Sequence, residues 1–307
     1  MKMRGWVIPL LLVWYLLLSG IDVRAEPDST LPEGVVIRLM VTKDKIILGD
    51  PLPLQLRIEN GSGNYISFLA PATGRFEYRT ISFYVCFPGR EDFYKLRSPG
   101  VYVGPMKIIR SPKTIPVVTL PPKGMATFDF VLDYDFPTVE RRKWLFPVAG
   151  TYRVKAALYL LQEALLEKDE TSPQASRISV ETLPLDVRII EPEGEEDIQA
   201  YADMRRLTYD YLLYAPEMFH PRMHREALEE TEGFITKHAK SRYASFGKLF
   251  IGYVSFVQAE QSKNINAMQN AIDLYQGLGA DVNFPLASKA KELSARMSER
   301  FERLNKD

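Results

Sequence analysis

The chain has 307 residues, more than a single domain usually contains, so two domains are expected. Lysine and arginine together number 39, aspartate and glutamate also number 39, and the formal net charge is zero. General nucleic-acid binding is therefore disfavoured, because it depends on an excess of positive charge that neutralises phosphates. A hydrophobic content of 46% and a charged content of 25% match an ordinary globular protein.

The first 25 residues have the organisation of a signal peptide. Lys2 and Arg4 precede an apolar run over 6–18, which is shorter than the roughly 20 residues that a bilayer span requires. Val23 and Ala25 place compact residues at the −3 and −1 positions of a cleavage site. We therefore expect cleavage after Ala25, a secreted or periplasmic location, and no transmembrane anchor after cleavage. Retention of the run as an uncleaved anchor is the alternative.

After a linker over 26–34, residues 35–192 carry the alternation that is typical of β-strands. In the clearest strand, four apolar residues alternate with polar or proline positions: Leu52, Leu54, Leu56 and Ile58. Proline and glycine separate the short apolar runs, as at 121–124, and no helical periodicity intervenes. This pattern predicts an all-β sandwich over 35–192.

Three segments of this region resemble the immunoglobulin-like domains of exported bacterial proteins. They are 47–60, then 120–124 before a phenylalanine-rich strand, and 146–154, which contains a Gly-Thr-Tyr entry into a late strand. The resemblance implies an immunoglobulin-like fold and a general association with binding, but no particular ligand. It departs from antibody domains because Cys86 is the only cysteine, so no intramolecular disulfide is possible.

Near Glu193 the apolar spacing changes from every second residue to every third or fourth. The new spacing predicts an all-α domain over 193–307, and we expect its helices near 195–214, 222–239, 242–259, 264–277 and 285–304. The segment 234–252 resembles a degenerate tetratricopeptide-type helical hairpin, in which small residues permit close helix approach. The expected fold is thus an immunoglobulin-like sandwich followed by a tetratricopeptide-like helical domain.

A search for catalytic and metal-binding residues gives two weak candidates. His220 and His224 are four residues apart, a spacing that suits zinc on a helix, although Pro221 disfavours a helical conformation at His220. A solvated loop is the favoured interpretation, and no cofactor is expected. Three carboxylates fall at even spacings on a predicted strand and would suit calcium or glycoside hydrolysis, against a simple solvated face: Asp129, Asp133 and Asp135.

Aromatic and basic residues are the better candidates for contact with a partner. Four aromatic residues crowd the first predicted helix and its exit: Tyr209, Tyr211, Tyr214 and Phe219. A basic cluster adjoins a further aromatic residue in a predicted loop: Arg141, Arg142 and Trp144. Burial in the core is one interpretation of the tyrosines, and an exposed face for a protein or glycan partner is the other.

The sequence therefore favours an exported, non-catalytic interaction module that binds a protein or peptide partner in the cell envelope. Two alternatives stay open: an envelope-associated hydrolase or metal-binding protein, and a structural protein that binds a cell-wall polymer.

Overall fold

The computed structural model describes residues 31–43, 45–71, 80–96, 117–135, 143–161, 177–220 and 225–304. Within them, the strands are β1 Val35–Val41, β2 Ile46–Ile47, β3 Leu52–Asn60, β4 Ile66–Leu69, β5 Ile81–Cys86, β6 Tyr94–Lys95, β7 Val117–Leu120, β8 Met125–Leu132, β9 Tyr134–Asp135, β10 Lys143–Trp144, β11 Gly150–Leu161, β12 Arg177–Glu181 and β13 Leu185–Ile190. The helices are α1 Glu195–Met204, α2 Arg225–Lys237, α3 Ala244–Gln261, α4 Ile265–Ala280 and α5 Ala287–Leu304. Two short 3-10 helices, Asp210–Leu213 and Pro216–Met218, lie between α1 and α2.

The strands form two main sheets. The smaller sheet has the order β1-β3-β8 and is antiparallel throughout. The larger sheet has eight strands, and its central path runs β2-β13-β11-β4-β7, with β12 and β5 also on β11 and β6 on β5. The short strand β2 pairs with β13 in parallel, and β9 pairs with β10 separately.

A common hydrophobic core lies between the two main sheets. Strand β3 alternates strictly between buried and half-buried residues, because one face of the small sheet faces this core. Ring contacts join the sheets across it, with centroid distances of 6.0 Å between Phe68 and Phe128 and 5.1 Å between Phe83 and Phe130. The predicted period-two pattern of β3 is confirmed.

The helices pack around α3, whose residues are buried on more than one side. Gly252 lets α3 approach α4 closely, because a Cβ there would lie 2.9 Å from the Tyr275 ring. In α5, Ala290, Leu293 and Met297 are buried along one stripe, as the sequence pattern predicts. The first helix ends at Met204 instead of near 214, and the chain then turns through 3-10 helix so that the tyrosines there enter the core.

The predicted fold class is wrong. The protein is a mixed α and β structure with sheets of three and eight strands and five helices in the part described, not an all-β immunoglobulin-like sandwich followed by an all-α, tetratricopeptide-like domain. Trp144 of β10 lies in the core of the helical elements, 4.9 Å from the Tyr214 ring, and Tyr201 of α1 packs against both cores. Sequence periodicity reports each element by itself and not the elements on which it packs, so it missed this mixing.

The boundaries at 35–192 and 193–307 stay predictions, and the proposed signal peptide over 1–25 lies outside the described residues. None of the helices in the described ranges combines the length and the apolar character that a membrane span needs.

Candidate functional site

A charged cleft of about 550 Å³ opens where the strands meet the helices. One wall comes from the segment 42–50, which contains β2, and the other comes from the start of α3 and the loop between α4 and α5. Its lining residues are Thr42, Lys43, Lys45, Ile47, Asp50, Arg242, Ser245, Asp281, Val282, Asn283, Phe284 and Pro285. The two walls are far apart in sequence, so only the folded chain brings these groups together.

A buried ion pair forms the base of the cleft. The Nη2 atom of Arg242 lies 2.8 and 2.9 Å from the two carboxylate oxygens of Asp50, and only 3% of Asp50 is exposed. Burial raises the pKa of the Asp50 carboxyl above its ordinary value, while the neighbouring Arg242 guanidinium opposes that rise. The pair therefore fixes the position of the guanidinium with respect to the strand wall.

The backbone next to Asp50 is held by two tyrosines of the helical part. The Tyr214 hydroxyl donates to the Gly49 carbonyl at 2.7 Å, and the Tyr243 hydroxyl donates to the Leu48 carbonyl. Gly49 has a φ of +85°, and a Cβ there would lie 2.8 Å from the Tyr243 ring. Glycine is therefore required both by the backbone conformation and by the close approach of the ring.

Arg242 is also fixed from the helical side. Its backbone N–H donates to Asp197 Oδ1 at 3.1 Å, and the Ser241 hydroxyl donates to the same oxygen at 2.6 Å. Asp197 belongs to the first turn of α1, so α1 positions the residues that lead into α3. Hydrogen bonds thus hold both the backbone N–H and the guanidinium of Arg242.

Lys43 and Asp281 are two further charged residues of the cleft, and the Asp281 carboxylate attracts the Lys43 ammonium. Desolvation lowers the pKa of the half-buried Lys43 amine, against the raising influence of Asp50 and Asp281, and Arg242 lowers it further. Asp281 Oδ1 accepts the Asn283 backbone N–H at 2.9 Å, which orders the loop after α4. The Lys43 ammonium and the Asp281 carboxylate therefore stand on different walls, although each wall carries charges of both signs.

Lys45 contributes less to the cleft than its charge suggests. Its ammonium lies 2.7 Å from Glu193 Oε1, and both side chains are largely exposed. Solvent screens such a pair, so its free energy of interaction is small. Lys45 therefore stays a largely solvated charge that Glu193 holds only weakly.

The residues predicted to contact a partner differ in how far they are buried. Trp144, Tyr211 and Tyr214 are 6%, 2% and 1% exposed and belong to the helical core. The interpretation of the two tyrosines as an exposed face is therefore wrong, and so is the prediction of Trp144 as a loop residue that contacts a partner. Tyr209 and Phe219 are partly buried against the same core. Arg141 and Arg142 lie outside the described residues.

The histidines do not form a described metal site. His220 is exposed after the second 3-10 helix, and His224 lies outside the described residues. In the ranges that the structure describes, no group of three or more His, Cys, Asp or Glu side chains could hold a metal ion. His238 is buried directly after α2, and its Nε2 lies 2.9 Å from Asp203 Oδ2.

The predicted carboxylate face is also corrected. Strand β8 ends at Leu132, so Asp129 and Asp133 do not continue one strand. Asp129 is exposed and accepts a hydrogen bond from Gln55, whereas Asp133 is buried, 4% exposed. Asp135 pairs through its backbone with Lys143 in the separate two-stranded sheet. The two aspartates with described side chains therefore do not share a solvent face.

Sequence reasoning missed the residues that form the cleft. The sequence pattern predicted only that Asp50 lies in the turn that ends the strand before it. It assigned no functional role to Lys43, Arg242 or Asp281. One local signal was present: Asp50 lies between Gly49 and Pro51, and apolar segments that form β2 and β3 flank it on both sides. Its partner Arg242 is 192 residues away, and no local pattern indicates it.

Comparisons with known proteins do not assign the chain to a family. No family model matches the chain, and no curated protein matches it. A Northeast Structural Genomics Consortium target, SoR45, aligns at 10% identity and a TM-score of 0.26, covering 53% of this chain and 91% of the target. A β-glucosidase from Listeria innocua aligns at 12% identity and a TM-score of 0.23, covering 51% of this chain and 16% of that one.

A third structure, the sporulation control protein Spo0M of Bacillus subtilis, aligns at 12% identity with a TM-score of 0.24 and covers 56% of each chain. The chain thus spans about half of Spo0M and a small part of the glucosidase. At such TM-scores, none of the three carries an argument about function.

Proposed function

We propose that the protein is an exported, non-catalytic binding module that holds a protein or peptide partner of the cell envelope in the cleft between its strands and helices. The observation that supports this proposal is the cleft itself, with the Asp50–Arg242 pair at its base and charged groups of both signs on its walls. Export is supported by the basic start and the apolar run over 6–18.

The size and lining of the cleft favour a peptide segment. Ligand pockets typically measure about 300 to 1,000 Å³, and this cleft falls within that range. Its polar side chains can meet the charges of a peptide, while exposed Val282 offers an apolar contact at the rim. Partners of this kind are recognised by a few fixed polar groups within a shaped surface.

Site-specific photo-cross-linking in the native host tests the proposal. A benzophenone side chain at Val282 should give one defined adduct with an envelope protein or peptide, which mass spectrometry identifies. Leu183 is the matched control, because both residues are 86% exposed and apolar. Leu183 precedes β13 at the end opposite to Ile190, which pairs with β2 beside the cleft.

A second variant links the adduct to the cleft. Ser245→Trp places a large ring among the lining residues and should abolish the Val282 adduct, provided that circular dichroism shows an intact fold. The same adduct from Leu183, or an adduct that survives Ser245→Trp, would overturn the proposal. Adducts with cell-wall polymer instead of protein would replace it with the structural alternative.

A further inference from the structure

The arrangement of charged residues in the cleft indicates what the cleft binds. Five charged residues line it: Lys43, Lys45, Arg242, Asp50 and Asp281. Three of them are engaged in ion pairs, because Lys45 pairs with Glu193 and Arg242 pairs with Asp50. Lys43 and Asp281 then supply one positive and one negative group on different walls.

From this arrangement we infer that the cleft recognises a short peptide segment carrying one carboxylate and one ammonium group, with the carboxylate at Lys43 and Arg242 and the ammonium at Asp281. The inference rests on the proposed function and names the chemistry of its ligand. The two charges come either from the free termini of a short peptide or from side chains of a longer one.

The positive side has donors available for a second carboxylate. A guanidinium has five N–H donors, and Asp50 receives its two hydrogen bonds from one terminal nitrogen of Arg242. The Arg242 side chain is 24% exposed, so its remaining donors can reach a ligand in the cleft. Because Asp50 fixes the guanidinium, an incoming carboxylate meets a donor that is already ordered.

Lys43 gains most from such a ligand. It is half-buried; Asp50 and Asp281 attract its charge, but Asp50 is bound to Arg242 and Asp281 stands on the opposite wall. A poorly hydrated ammonium interacts more strongly with a new carboxylate than a fully solvated one does.

The negative side is provided by the loop after α4. The Oδ1 atom of Asp281 accepts the Asn283 N–H, and the Phe284 N–H donates to the Asp281 carbonyl at 3.1 Å. These bonds hold the carboxylate in place, and Asp281 is exposed to an incoming ammonium. Lys43 and Asp281, on opposite walls, therefore match the two opposite charges of such a ligand.

Calorimetric titration with three peptides tests this inference. Tri-alanine with free termini carries both charges, N-acetyl tri-alanine amide carries neither, and acetyl-Lys-Ala-Glu-amide carries both on side chains. We expect at least one of the two charged peptides to bind about tenfold or more tightly than the doubly blocked tri-alanine. Preference for free tri-alanine assigns peptide termini, and preference for the third peptide assigns side chains of a longer segment.

Two substitutions then locate each charge. Lys43→Gln should weaken binding of the preferred peptide about tenfold. This variant should also bind the peptide with the same affinity whether or not the peptide's carboxylate is blocked. Asp281→Asn should do the same for loss of the ammonium. Lys240→Gln and Asp273→Asn, which make the same charge changes at exposed positions outside the cleft, should leave binding unchanged.

Equal binding of blocked and charged peptides, or unchanged binding in Lys43→Gln and Asp281→Asn, overturns the inference. If the Val282 cross-link still identifies a cleft partner in that case, the proposed function stands without this chemistry. If the cross-link also fails, both are wrong.

Discussion

The hydroxyl of Tyr243 donates a hydrogen bond to the backbone carbonyl of Leu48, 195 positions earlier in the chain. Both groups are buried, and the bond crosses from the start of α3 to the segment after β2. Burial raises the pKa of the Tyr243 hydroxyl well above its ordinary value, so the hydroxyl stays protonated as a donor. This contact joins the start of α3 to the strand segment that carries Asp50, next to the Asp50–Arg242 pair.

Tyr243→Phe should lower the free energy of unfolding by about 1–3 kcal/mol, because it leaves the Leu48 carbonyl buried without this donor. Urea denaturation measures the loss. Tyr65→Phe removes a hydroxyl from a side chain that is 63% exposed and should change stability by less than about 0.5 kcal/mol. Equal effects of the two substitutions would contradict the assigned role.

Gly49→Ala should destabilise the protein by about 2–4 kcal/mol, since it adds strain at positive φ to an overlap with the Tyr243 ring. Gly89→Ala is the matched control. Gly89 also has a positive φ, of +72°, but a Cβ there meets no atom within 4 Å. The difference between the two variants in thermal or urea unfolding isolates the packing contribution, and it should favour Gly89→Ala.

Arg242→Gln should cost about 3–5 kcal/mol of stability at pH 7, because it leaves the Asp50 carboxylate buried without its cation. The pKa of Asp50 is already raised, so the folded protein binds its proton more tightly than the unfolded chain does, and stability falls as pH rises through that window. Removing Arg242 raises this pKa further. The cost of the substitution should therefore be smaller at pH 4 than at pH 7.

The double variant Asp50→Asn/Arg242→Gln provides the control for this pH dependence. With no carboxyl at position 50, the difference between pH 4 and pH 7 should largely disappear in urea unfolding. A pH dependence that persists in the double variant would assign it to another group.

Asp203 should stabilise the fold in the opposite pH direction. Hydrogen bonds from Lys237 and His238 lower the pKa of its carboxyl to about 2. A lowered pKa gives stability that is complete above the ordinary value near 4 and is lost as pH falls toward 2. Asp203→Asn should thus be destabilising at pH 7 and progressively less so between pH 5 and pH 3.

Unfolding curves across this range check the Asp203 prediction, with Asp273→Asn as the control at an exposed position of α4. A cost of Asp203→Asn that does not change with pH would show that the ionisation of Asp203 does not contribute to stability.

The mature protein isolated from its native host should begin at Glu26, as mass spectrometry of its N-terminal peptide will show. Ala25→Arg should block cleavage, because the −1 position accepts only small residues, and a longer precursor should accumulate. A mature protein that retains residues 1–25 would favour the uncleaved anchor.

The sequence predicted single elements far better than their assembly. Strand β3 and helix α5 have the expected bounds to within a few residues, because each has one face in a core and one in solvent. The first helix was predicted too long, because the tyrosines after Met204 continue an apolar spacing while the backbone has already left the α-helix.

The fold class and the candidate site depended on long-range contacts that periodicity does not encode. Trp144 looked like a loop aromatic beside basic residues, but it packs on Tyr214, 70 positions away by their numbering. Asp50 looked like a turn residue, but it is buried against Arg242. In both cases tertiary packing determines which distant residue the side chain contacts. The local sequence pattern does not contain that information, so only the folded structure shows the contact.

The separation of the two cleft walls along the chain also bears on biosynthesis. Residues 42–50 leave the ribosome long before the loop at 281–285 is made. A nascent chain can thus complete its strands while the second wall of the cleft is still missing, and the cleft is whole only after residues 281–285 have been added.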